Sequence, residues 1–194
     1  MQSTFILLRY MEIVMLNDLK SVIEKIYFDG EKSFFINGCK KSFDFVDELV
    51  ENFEEQCSKI QLSDDNCLPA KEMYFFFEDF TKGEFKVSYS SVLCISKICK
   101  VFYLQHEFAV DNLDVDRMDL VLDGFGDQAY TKKQFSFDEN VVSFLQKKGY
   151  TRLKYAELEE VIPFVEMPAD LIFETQMTVE NAIFRDTWEL CSQE

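Results

Sequence analysis

Turn-forming residues are scarce in this chain. Its 194 residues include 6 Gly and 3 Pro, well below the usual shares of about 7% and 5%. That scarcity excludes collagen-like and Pro-rich linker classes and disfavours a turn-dense β-sandwich or propeller. Histidine is rarer still, since His106 is the only one. One histidine removes the His-Glu-x-x-His helix, the Cys2His2 finger and the three-histidine zinc site. It also leaves any nucleophilic triad a single candidate base. No Gly-rich phosphate loop is present: Gly124 and Gly126 run into Asp127 rather than into a helix start with Lys and Ser or Thr. Long apolar runs are missing too, with nothing near the ~18 residues of a membrane span. The run Phe5-Ile6-Leu7-Leu8 is cut by Arg9, which predicts no secretory leader. Bases are in short supply: 20 Lys and Arg face 36 Asp and Glu, a net charge of −16. Phosphate backbones need clustered cations, so nucleic acid is not an expected partner.

What is present describes a folded protein. Hydrophobic residues are 47% and charged residues 29%, which excludes wholesale disorder. Aromatic residues are 15% of the chain, with 21 Phe, 8 Tyr and 1 Trp. The length suits one domain, 1–194, with residues 1–14 read as an early-start extension or an N-terminal strand over 3–10. Met11 and Met15 are alternative starts. Cys39, Cys57, Cys67, Cys94, Cys99 and Cys191 form no C-x-x-C pair. They are expected to be reduced thiols in a cytoplasmic protein, without metal or cofactor.

Periodicity predicts a first helix over 18–28, capped by Asn17 and stopped by Asp29-Gly30. A short strand is expected over 33–37, before an Asn37-Gly38 turn. Ser42 is placed at the cap of a strongly amphipathic helix whose apolar stripe is Phe45, Val46, Leu49, Val50, Phe53 and Cys57. Residues 61–70 read as a loop. Residues 73–80, 85–91 and 101–110 read as strands, because Phe85, Val87 and Tyr89 alternate with Lys86 and Ser88. Residues 92–100 fit a continued strand or a short helix, and 111–130 a charged connection. Phe75-Phe76-Phe77 is expected to divide over two sheet faces. Thr131 and Gln134 form a capping box for a helix to Lys148, with Phe135, Val141, Val142, Phe144 and Leu145 inward. A short helix over 156–162 closed by Pro163, and a last helix capped by Thr178 with Val179, Ile183, Phe184, Thr187 and Leu190 inward, complete the chain. Helices around a central, mainly antiparallel sheet of three or four strands give the class α+β.

No spacing amounts to a catalytic signature. Asn112, Asp114, Asp116 and Asp123 occupy positions one, three, five and twelve of a calcium loop, but Arg117 stands where the sharp turn needs Gly. His106 shares its strand face with Phe102, Leu104 and Phe108, which predicts a hydrogen-bonded core residue rather than a partner for a catalytic cysteine. Charge is unevenly spread. Residues 101–130 carry 7 acids and 1 base, and 155–194 carry 10 acids and 1 base, whereas 131–154 carry 2 acids and 6 bases. An electronegative patch speeds encounter with a basic partner. The expected partner-binding residues are Asp111, Asp114, Asp116, Asp119, Asp123 and Asp127, with Glu157, Glu159 and Glu160.

Two stretches carry a resemblance. One is Ile95-Ser96-Lys97-Ile98-Cys99-Lys100-Val101-Phe102-Tyr103-Leu104-Gln105-His106-Glu107-Phe108. The other is Gly149-Tyr150-Thr151-Arg152-Leu153 with Glu157-Leu158 and later Thr178-Val179-Glu180-Asn181-Ala182-Ile183-Phe184-Arg185-Asp186. Together, over roughly the second half of the chain, they resemble small bacterial immunity proteins of polymorphic or contact-dependent growth inhibition toxins. The resemblance includes no catalytic motif. It implies a cytosolic, acidic, non-enzymatic protein that binds one cognate toxin domain, such as a basic nuclease, and blocks its active site or an adjacent surface. The alternatives are a small hydrolase using the acidic segments and an adaptor subunit with an acidic binding surface.

Overall fold

The computed structural model describes residues 17–63, 68–117, 122–167 and 176–191. Its centre is a sheet with the path β1–β2–β4–β5–β6, built from Lys59–Leu62, Ala70–Phe76, Phe85–Ser96, Val101–Asn112 and Leu122–Gly126. The short β3, Phe80–Lys82, returns against β4, and β7, Thr151–Arg152, runs parallel to β5. All other pairings in this sheet are antiparallel. The long β4–β5 hairpin is its spine, because both strands are twelve residues of aromatic and β-branched type. Helices α1 (Asn17–Ile23), α2 (Lys32–Cys39) and α3 (Val46–Phe53) precede the sheet. Helices α4 (Lys132–Lys147), α5 (Tyr155–Leu158) and α6 (Val179–Phe184) follow, with a two-stranded ribbon of β8, Val161–Glu166, and β9, Gln176–Thr178. The fold is α+β, as the sequence predicts.

The two sheet faces are covered differently. Strand register puts Phe75, Leu93, Phe102 and Leu104 on one face, where α3 and α4 cover them with Leu49, Phe53, Phe137 and Val141. Phe75 and Phe137 meet at 4.6 Å between ring centroids, an aromatic contact worth about 0.5–1.5 kcal/mol beyond area burial. On the opposite face, among the described residues, α1, α6 and the ribbon cover one end, packing Leu19, Ile23 and Ile183 over Cys94 and Tyr103. Further along the same face, Ser88, Ser90 and Val92 of β4 and Gln105, Glu107 and Ala109 of β5 are half-buried, with no place in any core cluster. Phe75 and Phe77 are buried on the helix-covered side, while Phe76 pairs with Ser90 on this open side.

Helix α4 shows why local sequence suffices for some elements. Thr131 Oγ1 accepts from the Gln134 amide at 3.0 Å, and Gln134 Oε1 accepts from the Thr131 amide at 3.1 Å. The same carboxamide donates through Nε2 to the carbonyls of Ser90 and Glu107, at 2.8 and 3.2 Å. One fully buried side chain thus caps the helix and pins it to β4 and β5. Thr178 caps α6 in the expected way, accepting from the Asn181 amide.

Several expectations need correction. Residues 33–37 are helical within α2, because Phe35 and Gly38 bury against Ile98 and a β-carbon at 38 would lie 3.3 Å from Ile98 Cγ1. The first helix ends in a π-turn over Glu24–Phe28. Phe45, not Ser42, occupies the cap of α3, and no side chain caps it. The span 61–70 is not all loop, since β1 reaches Leu62 and β2 starts at Ala70. Strand β4 continues to Ser96. The span 111–130 contains β6, stabilised by pairing with β5. Pro163 lies within β8 rather than closing a helix, and α5 stops at Leu158. Helix α6 stops at Phe184, with Leu190 buried beyond it. Phe135 is 57% exposed, and Phe137 takes the buried place instead. The proposed N-terminal strand over 3–10 lies outside the described residues.

Candidate functional site

The open half of the sheet is concave between β4 and β6. The register places Ser90 opposite Glu107 and Ser88 opposite Ala109 across β4–β5. Across β5–β6 it places Glu107 opposite Phe125 and Ala109 opposite Asp123. These six residues line a groove of about 220 Å³. Period-two alternation puts them on the face away from His106. Ser90 Oγ donates to Glu107 Oε2 at 2.9 Å and Ser88 Oγ donates to the Ala109 carbonyl at 3.4 Å. Phe125 is 60% exposed, and its ring meets Tyr155 at 5.9 Å. Gly124 lets the Phe108 ring lie across β6 on the other face, where a β-carbon would come within 2.5 Å of Phe108 Cε1.

Charge pairing separates this groove from its surroundings. Asp79 pairs with Lys86 at 2.9 Å, Glu84 with Arg117 at 3.3 Å and Glu78 with Lys133 at 2.6 Å. Glu72 is held by Arg185. Among the described residues, no ion pair reaches Glu107 or Asp123.

The acidic residues singled out by sequence have different surroundings. Asp111 lies on the groove face, opposite Lys86. Asp114 is engaged by Arg117 Nε at 2.9 Å and accepts from the Asp116 amide at 3.0 Å. Asp116 is exposed, and Asp119 lies outside the described residues. Asp123 is in the groove, whereas Asp127 accepts from the Tyr155 amide and ties the end of β6 to α5. Glu157 accepts from the Lys154 amide at 2.7 Å, and Glu159 is exposed. Burial and then the neighbouring Glu157 carboxylate push the Glu160 carboxyl above its usual range. Sequence reasoning missed Glu107, Ser88, Ser90 and Phe125. Their signal was the alternation around His106, but the register to β6 was needed to unite them with Asp123. The calcium-loop spacing does not converge, since Asp123 sits in β6 and Asp114 is held by Arg117. Among the described residues, no group of three or more His, Cys, Asp or Glu could hold a metal ion.

The other polar constellation is internal. His106, with 0% exposure, contacts Ser91 Oγ through Nδ1 at 2.7 Å and Asp138 Oδ2 through Nε2 at 3.0 Å. Arg152 donates from Nη1 to Asp138 at 2.8 Å and from Nη2 to the Leu104 carbonyl at 3.0 Å. Burial alone would raise the Asp138 carboxyl, but the hydrogen bond from His106 and the Arg152 guanidinium outweigh it and hold the group below its usual range. The ionised carboxylate only accepts, so Nε2–H donates to it, while Nδ1 faces the Ser91 hydroxyl. This order is that of a Ser-His-Asp relay with the ring nitrogens exchanged. Ser91 is also 0% exposed, so the hydroxyl meets helix-side core rather than solvent.

Among the described residues, no helix is long and apolar enough to cross a membrane. No family model, curated protein or solved structure matches the chain.

Proposed function

We propose that this protein is a cytoplasmic immunity protein that binds a cognate, basic bacterial toxin domain and neutralises it. The observation that supports this reading is the half of the sheet left open among the described residues, where carboxylates with no ion pair among those residues lie beside an exposed aromatic ring. A net charge of −16 draws a cationic domain toward that face, while the groove supplies contact at short range. Covering the toxin's active site or a surface next to it requires no chemistry from the binder.

The test is to express the product of each reading frame that flanks the gene, basic ones first, with and without this protein. The expected outcome is growth arrest by the neighbour alone, rescue on co-expression, and a complex measurable by calorimetry. Absence of both rescue and complex overturns the proposal.

A second reading, a small hydrolase, draws on the Ser91–His106–Asp138 order alone. Substrate could reach Ser91 only if α4 lifted from the sheet. Turnover of an ester panel that disappears in Ser91→Ala, with the melting temperature unchanged, would favour that reading.

A further inference from the structure

We propose that the groove between β4 and β6 receives an arginine side chain of the partner. This rests on the reading of the protein as a binder of a basic protein, and it specifies the residue type that is gripped. The Glu107 carboxylate is half-buried and oriented by the Ser90 hydroxyl at 2.9 Å, without an ion pair among the described residues. A partly desolvated carboxylate in that state gains most from a charge-assisted donor. Asp123 stands one diagonal step away across the β5–β6 ladder, on the same face. Diagonal neighbours lie about 7–8 Å apart. An ammonium is a compact point charge and sits against one such carboxylate, whereas a planar guanidinium offers five donors in a fork and can engage both.

The aromatic wall makes the same choice. Phe125 is 60% exposed and its ring is braced by Tyr155, leaving a face on which a guanidinium stacks well. The volume of about 220 Å³ is below the roughly 300–1,000 Å³ typical of small-molecule sites. It suits a single long side chain entering from a partner surface.

The probes are the acetylated, amidated tripeptides Gly-Arg-Gly, Gly-Lys-Gly and Gly-citrulline-Gly, titrated into the 15N-labelled full chain at low salt. The arginine peptide is expected to shift the amides of Ser88, Ser90, Glu107, Asp123 and Phe125, and to bind about threefold or more tighter than the lysine peptide. The citrulline peptide is expected to leave these amides unmoved. Glu107→Gln and, separately, Asp123→Asn should each weaken the arginine peptide by about threefold or more, with the rest of the spectrum preserved. Equal affinity for arginine and lysine, shifts spread evenly over the acidic surface including Glu157 and Glu159, or no shift at the groove each overturn the proposal. If the neighbouring gene product binds and Glu107→Gln leaves its affinity unchanged, the groove assignment falls and the immunity reading stands. If the arginine peptide binds the groove but no neighbouring product is neutralised, the immunity reading falls and the groove stands.

Discussion

The imidazole of His106 and the carboxylate of Asp138 meet at 3.0 Å across the junction of β5 and α4. That contact joins β5 to the helix covering it, with Ser91 and Arg152 completing the polar cluster. His106→Ala removes a packed ring and leaves Ser91 and Asp138 short of a partner. A loss of about 2–4 kcal/mol is expected, read as a lower urea midpoint with an unchanged slope. A midpoint within error of the parent would show that the pair contributes nothing to stability.

The same carboxylate predicts a pH response. Asp138 is held below its usual range in the folded protein, so its contribution is complete above about pH 4 and is lost as pH falls through the lower folded value. Melting temperature measured from about pH 6 down to about pH 2 should drop more steeply in the parent than in Asp138→Asn. Parallel acid limbs for the two proteins would remove Asp138 from the account.

Gly124→Ala places a methyl against the Phe108 ring, which is itself in edge contact with Tyr130 at 4.7 Å. Overpacking of this kind costs about 1–3 kcal/mol. The cost should shrink when Phe108→Leu is added, because the two changes share one contact. Additive losses in a double-mutant cycle would argue that the glycine matters for another reason.

Phe164 has φ +66° and a side chain 78% exposed. A left-handed phenylalanine costs about 1–2 kcal/mol, and an exposed ring offsets little of it. Phe164→Gly is expected to raise the melting temperature by about 2–4 °C. A fall of that size instead would mean that the ring packs in solution.

Among the described residues, no cysteine is joined in a disulfide. Burial pushes Cys57 up to about 11 and Cys99 up to about 12, far from the thiolate form that alkylates. Native protein at neutral pH should therefore take up iodoacetamide slowly at these two positions, and rapidly once unfolded. Peptide mapping after a brief pulse measures this directly, and prompt native labelling of Cys99 would contradict it.

How much could be read in advance depended on how far apart the determinants lie. The Thr131 and Gln134 cap was legible because both halves of the exchange fall within one helical turn. Strand β4 was legible because Phe85, Val87 and Tyr89 alternate with polar neighbours. Strand β6 was not, since its five residues include Gly124 and Gly126 and its extended form depends on β5 beside it. Helix α2 was misread because Phe34, Phe35 and Ile36 favour strands, while burial against Ile98 decides the outcome. The acidic excess was plain, but several of its members are committed to local bonds, as with Asp114, Asp127 and Glu157. Which carboxylates remain without a cation depends on strand register and on distant bases.

Gln134 joins the cap of α4 to the carbonyls of Ser90 and Glu107, whose side chains point into the groove on the far side of the sheet. Moving the β4–β5 floor of the groove therefore breaks the helix cap as well. That floor is thus set when the chain folds. Were a protein to dock on this floor, little conformational entropy would be lost in ordering it, and the lifetime of the complex, rather than a slow rearrangement before docking, would set the affinity.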